Sequence, residues 1–225
     1  MPVQDPVPDC QFGKIVTVLR PGLLADRRGR ETLVVCGAAR GLTSVVSYAL
    51  VELGYPMGPV RGPHNHEDME FQNVLVAASV RERSLRRMPG LPGLIARRNA
   101  ANPRWGFKVP LAVEYMPELQ GMLRDPVFVI CLRSPAGVMR SIHARPHDVE
   151  GDVVWLMRKG FGAYAAVHAA AARLSAPILL ADMDAARLAP RVFLDELCAA
   201  LDLAGDLDAL AARIARPGYK EVQGT

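Results

Sequence analysis

Residues Thr32–Gly58 read TLVVCGAARGLTSVVSYALVELGYPMG, and the fold follows from how this stretch divides. Leu33, Val34, Val35 and Cys36 form a short apolar run that predicts a strand over 32–36. Small residues follow: Gly37, Ala38, Ala39, then Arg40 and Gly41. Val45, Val46, Ala49, Leu50 and Leu53 recur at helical spacing, which predicts a helix over 42–53 stopped by Gly54. A strand, a tight loop and a helix leave free backbone N–H groups and a positive helix end around one point. That geometry suits a bound anion. Arg40 adds a planar fork of donors, and Thr43 and Ser44 add hydroxyls where the helix starts. The stretch is therefore expected to hold a phosphate-like or sulfate-like group. An ordinary strand–loop–helix with an exposed Arg has the same outline.

Two familiar phosphate motifs are excluded. A Walker loop needs Gly-x-x-x-x-Gly-Lys-Ser/Thr, but counting from Gly37 puts Leu42 and Thr43 at the second Gly and the Lys. The dinucleotide fingerprint Gly-x-Gly-x-x-Gly is absent as well.

Downstream, the chain alternates strands and helices. Strands are predicted at 14–19, in WGFKVP (105–110, the strand ending at Lys108), at 127–132 (VFVICL) and at 177–182 (PILLAD). Helices are predicted at 67–88, 111–123, 135–145, 152–174, 188–202 and 206–215. The segments 21–30, 55–66 and 89–104 are rich in Pro, Gly or Arg and read as connections, the first of them a loop or hairpin. Residues 1–12 read as a loose arm. The alternation predicts one α/β domain over 1–225: three α/β/α layers around a mainly parallel central sheet. Ligands of such sheets sit at the carboxyl ends of the strands. Arg40, Lys108 and Arg133 all fall there, and Ser141 follows Arg133 by eight residues on the next helix. An Arg at a strand tip and a hydroxyl on the adjoining helix suit a second phosphate.

Composition narrows the function. Half of the 225 residues are hydrophobic, which excludes a disordered chain. The net charge of +4 suits an anionic ligand, and no stretch interleaves basic and aromatic residues in the manner of a nucleic-acid binder. Cys10, Cys36, Cys131 and Cys198 have no metal-ligand spacing, so no metal is expected. No apolar run is long enough for a membrane span, and no signal peptide opens the sequence. The expectation is a cytoplasmic protein, with a homo-oligomer compatible with the sequence.

Taken together, these segments resemble the sulfotransferases that use 3′-phosphoadenosine 5′-phosphosulfate (PAPS), in particular bacterial members with a P-loop-NTPase-like fold. The 5′-phosphosulfate loop of that family often reads Gly-x-Pro-Arg-Ser-Gly-Thr-Ser before a helix ending Leu-Gly-x-x-Met-Gly. GAARGLTS is similar, and Leu53, Gly54, Met57 and Gly58 fall in register with it. The family's 3′-phosphate motif, Arg-x-Pro with Ser eight residues after the Arg, matches Arg133, Pro135 and Ser141. WGFKVP resembles the family's Trp-Gly-x-Lys-x-Pro segment, and NHEDMEF its Asn-x-Glu-Asp-x-Glu-Phe pattern. The resemblance covers roughly residues 32–215.

It implies a PAPS site built from Ala39, Arg40, Gly41, Leu42, Thr43, Ser44, Arg133 and Ser141. Arg40 is implied to stabilise the leaving group, and Lys108 to hold the sulfuryl oxygens. Glu67 is implied as the base, with His66 and then His64 behind it. The acceptor would be a hydroxyl of a small molecule or saccharide. Three residues depart from the family loop: Ala39, Gly41 and Leu42 stand where it has Pro, Ser and Gly. The Tyr expected near ILLADMDA is also missing. Two other classes fit the outline, a P-loop-type nucleotide kinase or phosphotransferase and a non-catalytic nucleotide-binding member of the same fold.

Overall fold

A strand that is apolar at consecutive positions has to be covered on both faces, and Thr32–Gly37 is buried along its whole length. The structure is a computed structural model that describes residues 9–38, 40–63, 65–144 and 153–216. In chain order it contains β1 (Cys10–Phe12), β2 (Val16–Leu19), α1 (Pro21–Arg27), β3 (Thr32–Gly37) and α2 (Thr43–Glu52). Next come α3 (Met69–Val80), a 3₁₀ turn at Leu85–Arg87, α4 (Leu91–Ala101) and β4 (Trp105–Lys108). A second 3₁₀ segment (Pro110–Tyr115) leads to α5 (Met116–Gln120), β5 (Pro126–Leu132) and α6 (Pro135–His143). The chain then forms α7 (Val153–Ala171), β6 (Ile178–Asp182), α8 (Met183–Leu188), α9 (Pro190–Leu201) and α10 (Leu207–Ile214).

The six strands form one sheet in the order β1-β2-β6-β5-β3-β4. β4, β3, β5 and β6 run parallel, and β1 and β2 add an antiparallel edge. Alternate residues of β3 face opposite layers, as the strand repeat of two requires. Leu33 and Val35 pack with Val46 and Leu50 of α2 and with Phe193 and Leu197 of α9. Val34 and Cys36 pack on the other side with Phe71 and Leu75 of α3 and with Trp105 and Phe107. This is the expected three-layer α/β/α fold. The register pairs Val35 with both Lys108 and Val129 and Leu132 with Asp182. Gly37, Lys108, Arg133 and Asp182 thus come out at one edge of the sheet.

Several expectations are corrected. Residues 21–30 are not a loop or hairpin but contain α1. Pro21 opens α1, Leu24 buries its side chain in the core, and the Arg20 guanidinium donates to the carbonyls of Leu174 and Ala176. The supposed loose arm contributes β1, which pairs with β2. The helix expected over 67–88 begins only at Met69, because Asp68 is its cap and accepts the N–H groups of Glu70 and Phe71. Glu67 therefore lies in the loop before the helix and not in its first turn. Residues 89–104 contain α4, started by Gly90 and anchored by Leu91, Leu94 and Ile95. The 111–123 helix is divided into a 3₁₀ segment and the short α5. The extra helix α8 follows β6 directly, capped by the Asp182 carboxylate.

The β1–β2 edge is latched from outside the sheet. The Glu196 carboxylate on α9 accepts the N–H groups of Lys14 (2.8 Å), Ile15 (2.9 Å) and Val16 (2.7 Å). Burial alone would raise this carboxyl, but the three N–H bonds and the Lys14 charge outweigh it and hold the group below its ordinary 4.5. A depressed carboxyl stabilises the fold above its ordinary value and loses that contribution as pH falls through the lower folded value. Glu196→Gln should lower the unfolding free energy by about 1–2 kcal/mol at pH 7. The gap should close in acid as the native carboxylate takes up its proton. Urea denaturation of both proteins across pH 3 to 7 checks this, and a gap that stays constant with pH would refute it.

Candidate functional site

The loop after β3 is shaped by a close approach. Gly37 has φ 149°, and a Cβ there would lie 2.5 Å from the carbonyl oxygen of Cys131 on β5. Beyond it the backbone enters the left-handed region at Arg40 (φ 66°) and again at Leu42 (φ 63°). Gly41 lies between them, where a Cβ would be 2.8 Å from the Ala38 carbonyl oxygen. Turns in which left-handed residues alternate with others direct successive N–H groups into one concavity. Leu42 is also the N-cap of α2, and its side chain brings no cap to the helix. The first-turn N–H groups of α2, with Thr43 and Ser44 buried among them, complete an anion-binding geometry.

This answers what the substitutions in the loop do. Leu42 occupies a conformation that glycine adopts freely, at about 1–2 kcal/mol of backbone strain. Gly41 answers a different need, room beneath the Ala38 carbonyl. Ala39 lies outside the described residues, as does His64.

Arg133 stands at the tip of β5, 9% exposed. Its Nη1 donates to the carbonyl of Arg40 (3.1 Å) and its Nε to the Asp184 carboxylate (3.4 Å). Asp184 also accepts the N–H of Ser134 (2.8 Å), and the Tyr164 hydroxyl donates to the Arg133 carbonyl (2.6 Å). Burial acts to raise the Asp184 carboxyl. The bonds from the Ser134 backbone and side chain and from Arg133 overcome this and hold it below the usual carboxylate value. Strand tip, the loop after β3 and α8 are thereby tied into one unit. Ser141 lies on α6, seven residues beyond the cap Ser134 and two turns into the helix as expected, with no direct hydrogen bond to Arg133.

Lys108 ends β4 and is 2% exposed. Its Nζ donates to the Glu67 carboxylate (2.9 Å) and to the carbonyl of Asn65 (3.1 Å). The Asn65 side chain in turn accepts the Glu67 N–H (3.1 Å). The adjacent Asp68 is fully buried and pairs with Arg98 (2.9 Å), which also reaches Glu70 (2.7 Å). Burial pushes the Asp68 carboxyl up, against the pull of Arg98 and of the two helix N–H groups. His66 is buried, with its ring edge-on to Tyr48 at 5.7 Å and its carbonyl accepting from Ser47. It belongs to the wall between α2 and α3. Trp105 and Phe107 are buried in the core beside Phe71.

A cavity of about 660 Å³ opens beside the loop. Gly37 and Ala38 form one end of it, and Glu67 lies in its wall. Leu111, Val113 and Val138 belong to its apolar lining. Burial raises the Cys36 thiol well above its ordinary value and Cys131 to about 12, so both are inert at neutral pH. No group of His, Cys, Asp or Glu among the described residues is arranged to hold a metal ion, and no described helix is long and apolar enough to cross a membrane.

The structure thus brings Arg40 to Arg133 and Glu67 to Lys108. Sequence reading missed Asp184, Tyr164, Asn65 and Arg98. Asp184 was within reach, since it follows a buried parallel strand on the same edge as Arg133. Tyr164 sits in an Ala-rich helix with nothing local to distinguish it.

No protein-family model matches the chain, and no curated protein matches its sequence. Among solved structures it is similar to the sulfotransferase domain from the Synechococcus PCC 7002 olefin synthase, with a TM-score of 0.55. The likeness covers 88% of this chain and 82% of that one at 14% identity. At that identity the agreement is one of architecture: the chain has a sulfotransferase-like α/β fold.

Proposed function

We propose that this chain is a sulfotransferase that moves a sulfuryl group from PAPS to a hydroxyl of a small-molecule acceptor. One observation carries the reading. The cavity begins at the first residues of the anion loop and has Glu67, paired to the buried Lys108, in its wall. A base, a cation and an oxyanion-binding turn therefore meet at one junction, as in-line group transfer requires.

The residues fit such a donor. The α2 N-terminus, the turn at Arg40–Leu42 and the Arg40 side chain supply the 5′ end of the site. Arg133, at the neighbouring strand tip, supplies the 3′-phosphate end, with Ser141 proposed beside it. Donors fixed by the fold need no reorganisation as charge develops. The donor contributes the sulfuryl group and departs as adenosine 3′,5′-bisphosphate. The acceptor oxygen forms the new S–O bond while the bond from sulfur to the phosphate oxygen breaks, and Glu67 takes the hydroxyl proton. Lys108 holds Glu67 in place and offers its charge to the sulfuryl oxygens. Arg40 faces the phosphate oxygen that takes up negative charge. Glu67 is preferred over His66 because it reaches the cavity wall, whereas His66 is buried behind it.

Calorimetric titration with adenosine 3′,5′-bisphosphate should show binding that Arg40→Ala or Arg133→Ala weakens about 10- to 100-fold, the value of one charge-assisted hydrogen bond. ATP with Mg²⁺ is the parallel arm. Binding of ATP in place of the bisphosphate would identify a kinase, and binding of neither would remove the nucleotide reading. With an acceptor in hand, Glu67→Gln should lower turnover about 10²- to 10⁴-fold while leaving bisphosphate affinity unchanged.

A further inference from the structure

The lining of the cavity says what kind of acceptor fits it. We propose that the cavity takes a predominantly apolar molecule bearing the reacting hydroxyl and one further hydrogen-bond donor, held by Gln72, and that it is not a saccharide site. This rests on the sulfotransferase reading for the reaction, but the binding chemistry follows from the cavity itself.

Its volume of about 660 Å³ is in the range of small-molecule sites. Glu67, Gln72, Glu114 and Arg158 are its polar side chains among the described residues, and the rest of the lining is Gly, Ala, Val, Leu, Ile and Pro. Glu114 and Arg158 are exposed and reach water, so they form a rim. Only Glu67 and Gln72 remain as inner polar groups. A sugar carries a hydroxyl on most of its carbons and loses water from each on entry. Two inner polar side chains cannot replace that hydration, whereas an alkyl or ring body is suited to the aliphatic walls.

Gln72 supplies an independent sign of a ligand. It lines the cavity, yet its side-chain oxygen is buried with no hydrogen-bond partner. Buried side-chain acceptors usually have a partner, and one on a residue that lines a cavity can take a donor from the molecule, or the water, that fills it. The Glu67 carboxylate takes the reacting O–H, so the donor at Gln72 is a second one. The helices that line the cavity also carry exposed apolar side chains. Val76, one turn beyond Gln72 on α3, lines the cavity and is 44% exposed. Val154, Met157 and Phe161 are exposed on α7, the helix that gives Arg158 and Gly162 to the lining. A molecule with an extended apolar body would keep its contacts as it leaves the mouth.

The test is calorimetric binding of 1-octanol, of 1,2-, 1,3- and 1,4-octanediol and of cellobiose, each with and without adenosine 3′,5′-bisphosphate. The alcohols should bind and cellobiose should not. At least one diol should bind about tenfold tighter than 1-octanol, and Gln72→Leu should erase that preference while leaving 1-octanol bound. Val76→Asp, at a half-exposed position that the fold tolerates, should weaken every alcohol about tenfold or more. Binding of cellobiose in place of the alcohols overturns the proposal, as does binding of none of them, and a diol preference that survives in Gln72→Leu overturns the role of Gln72. Alcohol binding with this pattern but no bisphosphate binding would uphold the cavity chemistry and refute the sulfotransferase reading. Bisphosphate binding with a sugar in the cavity would do the reverse.

Discussion

The tips of β3 and β5 come so close that no side chain fits between them, and the site depends on this approach. A Cβ at Gly37 would meet the Cys131 carbonyl oxygen at 2.5 Å. Because the strands are in contact there, the loop leaving β3 passes directly over the end of β5. The Arg133 guanidinium can then reach the Arg40 carbonyl at 3.1 Å, and its Nε the Asp184 carboxylate. The turn at Arg40 is held by an arginine from a different strand, and that arginine by a carboxylate beyond a third. Parallel register places all three at one sheet edge, so the electrostatics of the loop follow from strand pairing.

The other wall rests on buried charge. Lys108 with Glu67 and Arg98 with Asp68 are two ion pairs side by side, each with an almost fully buried member. Such pairs add little net stability, because desolvation offsets most of the Coulomb attraction. Removing one partner is costly, since it strands a charge in the interior. Their value is positional. Asp68 fixes where α3 begins, Arg98 ties that start to α4, and Lys108 ties Glu67 to the end of β4. The loop from 55 to 68 has little regular structure, yet its functional end is placed as firmly as a strand. Strain enters the same region through left-handed His66 (φ 55°), as it enters the anion loop through Arg40 and Leu42. Non-glycine residues hold such conformations where the surrounding structure over-determines them.

The corrections to the sequence reading have two causes. Asp68 and Asp182 are helix caps, and each shifts or creates a helix boundary that hydrophobic spacing does not show. α1 and α4 were hidden by Pro, Gly and Arg, yet both are anchored by the few apolar residues they bury, Leu24 in one and Leu91, Leu94 and Ile95 in the other. Composition suggested connections, and tertiary burial made helices.

The sequence by itself determined the layered α/β architecture, because apolar runs such as VFVICL can be covered only between two helical layers. It determined the strand–loop–helix at 32–53 as well, and the sheet edge on which Arg40, Lys108 and Arg133 fall, because strand direction decides which end of each run the loop leaves. Only the tertiary structure decided which of these residues touch. It paired Glu67 with Lys108 and Arg133 with Asp184, and enclosed the apolar cavity beside the loop. Those outcomes depend on distances between segments far apart in the chain. Such distances are set by how layers pack, and no local pattern of residues records them.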